Sequence, residues 1–402
     1  MTGDLLVLAS GDHHYKRGDR WVECLRIHAW ILDEVRHRRP ALFVSTGDLY
    51  DGPSTPEERI ALASFLVGVA EVCPVLVCRG NHDRPRDLEL LGGLASRFPI
   101  TVEEGAGVHL IRTPEPLDRE VGPDDIVTDF TPIAVGAFAW PSRPSIMRAL
   151  GARSSEEVGA LGREALRSVF RGLGDRLRLE AAEGRRTILV GHAHVVSATV
   201  QEDGQPLPFG EQIAVGLEDL ELAGAEATLL GHIHLAQRWD RPAGPIAYCG
   251  SPFRNTFGEA DAKSITSLRF LGSGGVELER IPTPAAPMVL IRSLEELEAK
   301  RGELTPDAEV RLRYDVQPQD REAAAAAVAA ATGGLDVSRL KIEERVQSTT
   351  VARAPEVAAA RGTAAQLVEL WKRGGDEDLA QGLESPTVRR ALARLAELEV
   401  SS

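Results

Sequence analysis

A layered α/β fold is the expectation from this sequence, and three observations carry it. Short apolar runs of strand length recur over the first 280 residues, helix-period stretches separate the first of them, and proline marks where elements stop. Residues 5–9 (LLVLA) form the first run. Over residues 21–39, Cys24, Ile27, Ile31 and Val35 recur at spacings of three and four, which is the helical period, and Pro40 ends the stretch. Residues 41–46 read as the second strand, 57–72 as the next helix, and 74–78 as a strand opened by Pro74. Residues 133–138, 187–190 and 227–230 are again strand-like, and a strand-rich stretch follows around 246–249 and 264–271. Pro282, Pro284 and Pro287 then crowd one short segment, the signature of a domain boundary, so the first domain is expected to span residues 1–280. Beyond it, residues 288–291, 293–301, 309–316, 321–331 and 338–346 alternate strand-like and helix-like patterns, which suggests a small α+β domain over 287–346. Its alanine-rich run at 323–331 reads as a helix, because alanine is a strong helix former. From 347 to 402 the chain is first polar, then helical: Leu367, Val368, Leu370 and Trp371 share one face, and Ser385-Pro386 opens a helix carrying Val388, Leu392, Leu395 and Leu398.

Composition narrows the function classes. A chain of 402 residues, 43% hydrophobic, is long enough for two or three domains at roughly 100–200 residues each. With 46 basic against 60 acidic residues the net charge is −14, which argues against a polybasic nucleic-acid tail or a membrane-surface helix. It leaves room for a nucleic-acid enzyme, because bound cations or a basic partner can supply positive charge. Cys24, Cys73, Cys78 and Cys249 form no CxxC pair, so neither a zinc ribbon nor a dense disulfide framework is expected. The first residues lack the basic segment of a signal peptide, and no apolar run reaches the roughly 18 residues of a membrane span. A cytoplasmic protein with no membrane association is therefore expected.

The chemistry concentrates in five clusters, each just after an expected strand: Asp12-His13-His14, Gly47-Asp48, Asn81-His82-Asp83, Gly191-His192-Ala193-His194 and Gly231-His232-Ile233-His234. In an open α/β sheet the carboxyl ends of the strands are where ligands bind, so these clusters converge on one rim as a metal site. Alternate residues of an extended segment point the same way. Asp12 and His14 can thus grip one ion while His13 faces elsewhere, and His232 and His234 share a side. Asp48 can bridge two cations with its two oxygens, and Asn81 offers a neutral carbonyl. Asp, His and Asn donors without thiolate suit Mn²⁺, Fe or Zn²⁺ better than Ca²⁺; Cys78 reads as a buried strand residue. Two ions roughly 3.5–4 Å apart can share a hydroxide as nucleophile and clamp the oxygens of an in-line phosphoryl displacement. His82 is then the candidate proton donor to the leaving oxygen, with Asp83 either orienting its ring or capping the helix that follows.

Taken in order, Asp12-x-His14, Gly47-Asp48, Gly80-Asn81-His82-Asp83, Gly191-His192 and Gly231-His232-x-His234 resemble the five signatures of calcineurin-like metallophosphoesterases. Within that superfamily the chain resembles the SbcD-type nuclease subunits of double-strand-break repair. The runs that carry this are residues 45–51 (STGDLYD), 191–195 (GHAHV), 230–237 (LGHIHLAQ) and Tyr248-Cys249-Gly250-Ser251-Pro252 with Phe257-Gly258-Glu259. The resemblance implies a layered β-sandwich flanked by helices over residues 1–280, then a small α+β capping domain. It also implies a helical C-terminal tail that docks on the coiled coil of an SbcC-type ATPase. It implies one metal held by Asp12, His14, Asp48 and His234 and a second held by Asp48, Asn81, His192 and His232, with His82 as the catalytic histidine. Mn²⁺ would be the usual metal, 3′→5′ exonuclease and endonuclease cleavage of DNA the activity, and a homodimer the assembly. The apolar face around residues 57–72 is either a dimer contact or core packing. Two positions depart from the wider pattern. Tyr50-Asp51-Gly52 stands where many archaeal and eukaryotic relatives have a second histidine, and His194 occupies a place where no ligand is required, so it either faces the site or packs. Arg79, Arg84, Arg86, Arg143, Arg238 and Arg254 lie near the signatures, and Arg84, Arg143 and Arg254 are the candidate substrate contacts for a phosphate backbone.

A stand-alone phosphoesterase acting on small phosphoesters or cyclic nucleotides is the alternative, and it would have no need of the residues after Pro287. A binding subunit with an unused metal site is disfavoured because every expected ligand is in place.

Overall fold

The computed structural model describes residues 4–18, 20–112, 132–142, 144, 146–147, 155–200 and 213–346, with positions 388, 390 and 393. Arg143, and apart from those three positions the expected tail over 347–402, lie outside the described residues.

Two six-stranded sheets form the scaffold. The strands entering the first are β1 (Leu5–Ser10), β2 (Leu42–Ser45), β3 (Val75–Cys78) and β4 (Ile100–Glu103), joined later by β13 (Ser264–Phe270) and β14 (Val276–Pro282) in the order β14-β13-β1-β2-β3-β4. The second takes β5 (Ala106–Arg112), β6 (Pro132–Phe138), β7 (Arg186–His192), β10 (Ala227–Gly231), β11 (Gln237–Trp239) and β12 (Ile246–Tyr248), in the order β11-β12-β10-β7-β6-β5. A short parallel pair, β8 (His194–Val195) and β9 (Ala214–Val215), lies beside them. Each large sheet is parallel at its centre: β1 through β4 in the first, and β6, β7, β10 and β12 in the second. Strands buried on both faces explain why these segments read as continuous apolar runs.

The alternation along each strand sorts side chains into layers. Val7 and Ala9 of β1, Val44 of β2 and Leu76 of β3 meet Val135 of β6, Ile188 and Val190 of β7 and Leu229 of β10 in the core between the sheets. Leu8, Phe43, Val75 and Val77 point the other way, onto α1 (Trp21–Arg38) and α2 (Pro56–Ala70), where Ile27, Ile31, Val35, Leu62, Leu66 and Val69 receive them. The apolar face of α2 is thus filled from within the chain, although Ile60 stays 67% exposed. A capping box starts α2: Thr55 accepts from the Glu58 amide, and Glu58 returns the bond to the Thr55 amide at 2.7 Å. The short α3 (Pro85–Glu89) follows β3. Over the second sheet, Leu166, Phe170, Leu173 and Leu177 of α4 (Ser155–Ala182) pack on Ala134, Phe138, Leu189 and Leu230, and the short α5 (Leu217–Leu220) adds Leu220. The result is a mixed α/β architecture of layered sheets flanked by helices. Arg280 of β14 ties the sheets together by donating to the carbonyls of Gln237, Tyr248 and Cys249 at 3.1, 2.6 and 3.1 Å.

The sequence reading assigns no element to 100–112 or 155–182. β5 lies at a sheet edge with only Ile111 buried, so it lacks a clean apolar alternation. α4 carries Gly172 and Gly174, which dilute its helical signal; a Cβ on Gly174 would stand 2.4 Å from the Leu222 carbonyl oxygen, so the glycine permits a close approach.

Further along, β15 (Met288–Ile291), β16 (Glu309–Val316) and β17 (Arg339–Val346) form a three-stranded sheet in that order, accompanied by α6 (Leu294–Lys300) and α7 (Arg321–Thr332). By contacts, residues up to 290 with 304–311 and 336–340 make one compact unit, and the remainder of the stretch from 291 to 346 belongs to a second. Within the second, Arg313 pairs with Glu343 at 3.0 Å and Arg321 with Glu344 at 2.6 Å. No helix among the described residues is long and apolar enough to cross a membrane.

Candidate metal centre

The five clusters leave the carboxyl ends of β1, β2, β3, β7 and β10, and both sheets present those ends to one place. Backbone bonds zip the first two loops together: the Asp12 amide donates to Gly47, His14 to Asp48 and Tyr15 to Leu49, at 2.9, 3.0 and 2.7 Å. Asp12, His14, Asp48 and His232 all have positive φ, at 52°, 46°, 51° and 104°, leaving Arg39 as the one other non-glycine residue of this kind among those described. Such backbone costs on the order of 1–3 kcal/mol per residue and persists where the surrounding structure over-determines it.

Three groups of donors gather there, each within 4.8 Å of one another: Asp12, His14 and His234; His14, Asp48 and His82; and Asp48, His192 and His232. Asn81 joins the last group, its Oδ1 lying 2.9 Å from His192 Nε2 and 3.0 Å from His232 Nδ1. All seven residues proposed as ligands from the sequence are therefore brought together, with His82 beside them.

The donor set passes a test of fit for cations. His234 Nδ1 faces Glu259 Oε1 at 3.0 Å and His14 Nδ1 faces Asp51 Oδ1 at 3.5 Å, so carboxylates claim the proton on each Nδ1. The two Nε2 atoms then face each other at 3.0 Å. His192 likewise spends its Nδ1 proton on the Thr46 carbonyl at 2.8 Å and turns Nε2 towards Asn81 Oδ1 and, at 3.2 Å, Asp48 Oδ2. Converging lone pairs need positive charge between them. Burial pulls the His192 pKa down, but Asp48, Asp12 and the Thr46 carbonyl outweigh it and push it up to about 9, so without metal a proton fills that role. Divalent cations would fill it more completely, because Asp12 Oδ2, buried with no hydrogen-bond partner among the described residues, would also have a counter-charge. Donor sets for two cations are present. Burial opposes the Asp48 charge, yet His192, His14 and His82 around it hold its pKa well below the usual carboxylate range.

The carboxylate facing His82 is Asp51, whose Oδ1 lies 3.3 Å from His82 Nδ1, and this hydrogen bond raises the His82 pKa against the effect of burial. Asp83, expected to orient that ring or to cap a helix, does neither in this geometry. Its oxygens accept from the backbone amides of Tyr50 and Gly80, both at 2.9 Å, and the residue at the start of α3 is Arg84. Burial first, and the Asp48 charge second, push the Asp83 pKa up to about 7. Asp83 thus fastens the loops after β2 and β3 to each other. Arg254, expected to meet substrate, also has another occupation: its guanidinium donates to the carbonyls of Glu259, Asp261 and Ala286 at 3.0, 2.7 and 3.1 Å. Arg84, two residues after His82, is exposed. His194 is half-buried with its ring edge-on to His232, centroids 5.9 Å apart. His13 points away from the site, stacked on His28 in the core with centroids 4.8 Å apart.

Sequence reasoning gave no role to Asp51, Glu259, Lys263 or Trp140. Asp51 had a signal, its place three residues after Asp48 on the same loop. Trp140 stands at the carboxyl end of β6, its ring 4.7 Å from that of His232 and 5.8 Å from that of His192, and forms an aromatic wall. Glu259 and Lys263 reach the site only through tertiary contact.

Residues 5–235 match the family described as calcineurin-like phosphoesterase. Several solved structures are similar. GAP50, the anchor in the inner membrane complex of Plasmodium, is 13% identical, with 70% of this chain and 85% of that one covered and a TM-score of 0.43. A dimetal phosphatase from Danio rerio is 12% identical over 69% of this chain and 98% of its own, with a TM-score of 0.40. The phosphopantetheinyl hydrolase PptH from Mycobacterium tuberculosis is 14% identical over 63% and 92%, with a TM-score of 0.32. No curated protein matches the chain.

Proposed function

Because the chain belongs to the calcineurin-like phosphoesterase family and is a metal-dependent hydrolase, we propose that it hydrolyses phosphoesters with two divalent cations held where the two sheet edges meet. The observation that carries this is Asp48, which shares one group of donors with His14 and His82 and another with His192 and His232, so one carboxylate would serve both positions. Asp12, His14, Asp48 and His234 would hold one ion, and Asp48, Asn81, His192 and His232 the other. When bound, such a pair supplies an activated water and neutralises the charge that develops on phosphorus. The chain's own side chains do the rest. Asp51, facing His82 Nδ1, favours the protonated form of that ring, which would deliver a proton from Nε2 to the departing oxygen. Asp83 holds the loop that carries Asn81 and His82, and Trp140 closes one side of the site.

Small phosphoesters and phosphodiesters are the substrates this reading requires. A second reading is favoured by the motif runs at 45–51, 230–237, 248–252 and 257–259: a DNA nuclease subunit of SbcD type. On that reading residues 287–346 form a capping domain and 347–402 a tail that binds an SbcC-type ATPase. The metal would be Mn²⁺, the assembly a homodimer, and Arg84 and Arg143 would contact DNA. The test is hydrolysis of bis-p-nitrophenyl phosphate, cAMP and 3′-labelled linear duplex DNA with Mn²⁺, Fe²⁺ or Zn²⁺. Cleavage of the esters alone supports the small-substrate reading, and DNA cleavage abolished by His82→Ala supports the nuclease. No hydrolysis of any of them with any of the three metals refutes the two-ion phosphoesterase.

A further inference from the structure

Behind His234 lies a charged pair that the reaction as described does not use. Glu259 and Lys263 have side chains 2% and 0% exposed, with Glu259 Oε2 and Lys263 Nζ 2.6 Å apart. Burying such a pair costs desolvation that neutral residues would avoid, so stability alone is a weak reason for it. Its polar neighbours are specific. Lys263 Nζ also meets Asp261 Oδ1 at 3.2 Å, Ser251 Oγ at 3.0 Å and the His234 carbonyl at 3.3 Å. Glu259 accepts from Ser251 Oγ at 3.2 Å and from the Thr256 amide at 3.2 Å, and its Oε1 lies 3.0 Å from His234 Nδ1. The carboxylate is therefore fixed on every side and aims one oxygen at one ligand ring.

The two cation positions differ in what stands behind them. In one, Asp12 and Asp48 would both be ligands, and the histidines His234 and His14 face the carboxylates of Glu259 and Asp51. In the other, Asp48 is the single carboxylate, Asn81 is neutral, and His192 is backed by the neutral Thr46 carbonyl. A carboxylate behind an imidazole fixes its tautomer and makes its free nitrogen a stronger donor.

We propose that Glu259, held by Lys263, is the positioning residue of His234, and that it makes the Asp12–His14–Asp48–His234 position the tighter of the two and the first to fill. This rests on the two-cation reading. The experiment is calorimetric titration of the metal-free full-length protein with Mn²⁺. Wild type should take up two ions in two resolved steps. Glu259→Gln should weaken the tighter step by about 10- to 100-fold and leave the weaker one in place, and Lys263→Met should act in the same direction. Asn81→Ala should remove the weaker step and keep the tighter. An unchanged tighter step in Glu259→Gln, whatever its melting temperature, assigns Glu259 a structural role only and overturns the proposal. Loss of the tighter step in Asn81→Ala overturns the order of filling. Wild type binding fewer than two ions overturns the two-cation reading itself. If Glu259→Gln does not fold, ¹⁵N-histidine spectra of wild type titrated with Zn²⁺ decide: His14 and His234 shifting within the first equivalent supports the proposal, and His192 shifting first overturns it.

Discussion

Replacing Asp51 by Asn isolates the proton on His82. The Asp51 carboxylate lies 3.3 Å from His82 Nδ1, and the two side chains are 20% and 24% exposed, so the contact is shielded from most of the solvent. A hydrogen bond to a charged group in such a place contributes about 1.5–3 kcal/mol, which is roughly 10- to 100-fold in rate if the charge matters mainly in the transition state. Asn retains the shape and can accept from the ring, so the loss falls on charge and not on packing. The sign of the pH effect follows. His82 must be protonated to act as an acid, and Asp51 raises its pKa above the ordinary 6.5. Activity is therefore present below the raised pKa and lost as pH rises through it, and Asp51→Asn should move that alkaline limb to lower pH. Because Asp51 also faces His14 at 3.5 Å, kcat must be measured at saturating metal. Leaving group supplies the control: p-nitrophenolate departs without a proton, whereas an alkyl or nucleoside oxygen does not. The variant should lose the stated factor on alkyl and nucleoside diesters and much less on p-nitrophenyl esters. An equal loss on both, or an alkaline limb that stays where it was, would refute the assignment of Asp51 and His82 as a proton-donating pair.

Asp48→Ala should abolish uptake of both cations together, measured as metal content after dialysis against Mn²⁺; two ions retained at full occupancy rule out the shared carboxylate. Arg254→Met should cost on the order of 3 kcal/mol of stability through its lost charged hydrogen bonds while leaving KM for phosphodiesters within error; a raised KM with an unchanged melting temperature would return Arg254 to the substrate site. His28 is buried with its pKa drawn down to about 4 by burial, so it stays neutral in the fold while the unfolded chain protonates near 6.5. Stability from this group is thus full above pH 6.5 and lost as pH falls towards 4, about 2 kcal/mol between pH 7 and 5. His13 beside it is likewise buried with its pKa drawn down by burial, so urea unfolding should show a shallower acid dependence in His28→Gln than in wild type, and parallel pH profiles would contradict the assignment.

What the sequence made legible was whatever depends on local pattern. Parallel strands buried on both faces leave unbroken apolar runs, so the carboxyl ends of β1, β2, β3, β7 and β10 could be placed. With them came every donor now within reach of a shared cation. His13 does turn away from Asp12 and His14, buried against His28, but through the left-handed backbone of Asp12 and His14 and not through the extended segment that the sequence argument assumed. The misses depend on distance in sequence. Glu259 stands in the Phe257-Gly258-Glu259 run, but nothing local tells that His234, 25 residues earlier, turns its Nδ1 towards it. Adjacency suggested Asp83 as the partner of His82, yet the loop directs Asp83 to the amides of Tyr50 and Gly80 and brings Asp51 round instead. Arg254 was placed by proximity to a motif, but the carbonyls it holds belong to residues 259, 261 and 286, a loop geometry that only tertiary structure defines.

The two sheets divide the labour of the site in a way that ties it to folding. Asp12, His14, Asp48, Asn81 and His82 come from loops of the first sheet, and His192, His232 and His234 from the second, so neither sheet holds a complete donor set. Bonds involving the backbone cross directly: His192 Nδ1 donates to the Thr46 carbonyl at 2.8 Å, and the His232 amide donates to Asp12 Oδ1 at 2.8 Å, leaving the other Asp12 oxygen buried without a hydrogen-bond partner among the described residues. Glycines set how close the loops come. A Cβ on Gly80 would stand 2.1 Å from Asp48 Oδ1, one on Gly47 2.6 Å from His192 Nδ1, and one on Gly231 2.6 Å from the Thr46 carbonyl oxygen. Gly47 also needs its φ of +106°, which side chains rarely adopt. The three glycines therefore allow the loops, and the donor side chains they carry, to approach more closely than a Cβ would permit. The strain at Asp12, His14, Asp48 and His232 has to be sustained by the apolar core that clamps the sheets together. A substitution deep in that core, such as Val190→Ala, acts on the site by loosening the clamp, and its effect on metal affinity should track its effect on stability.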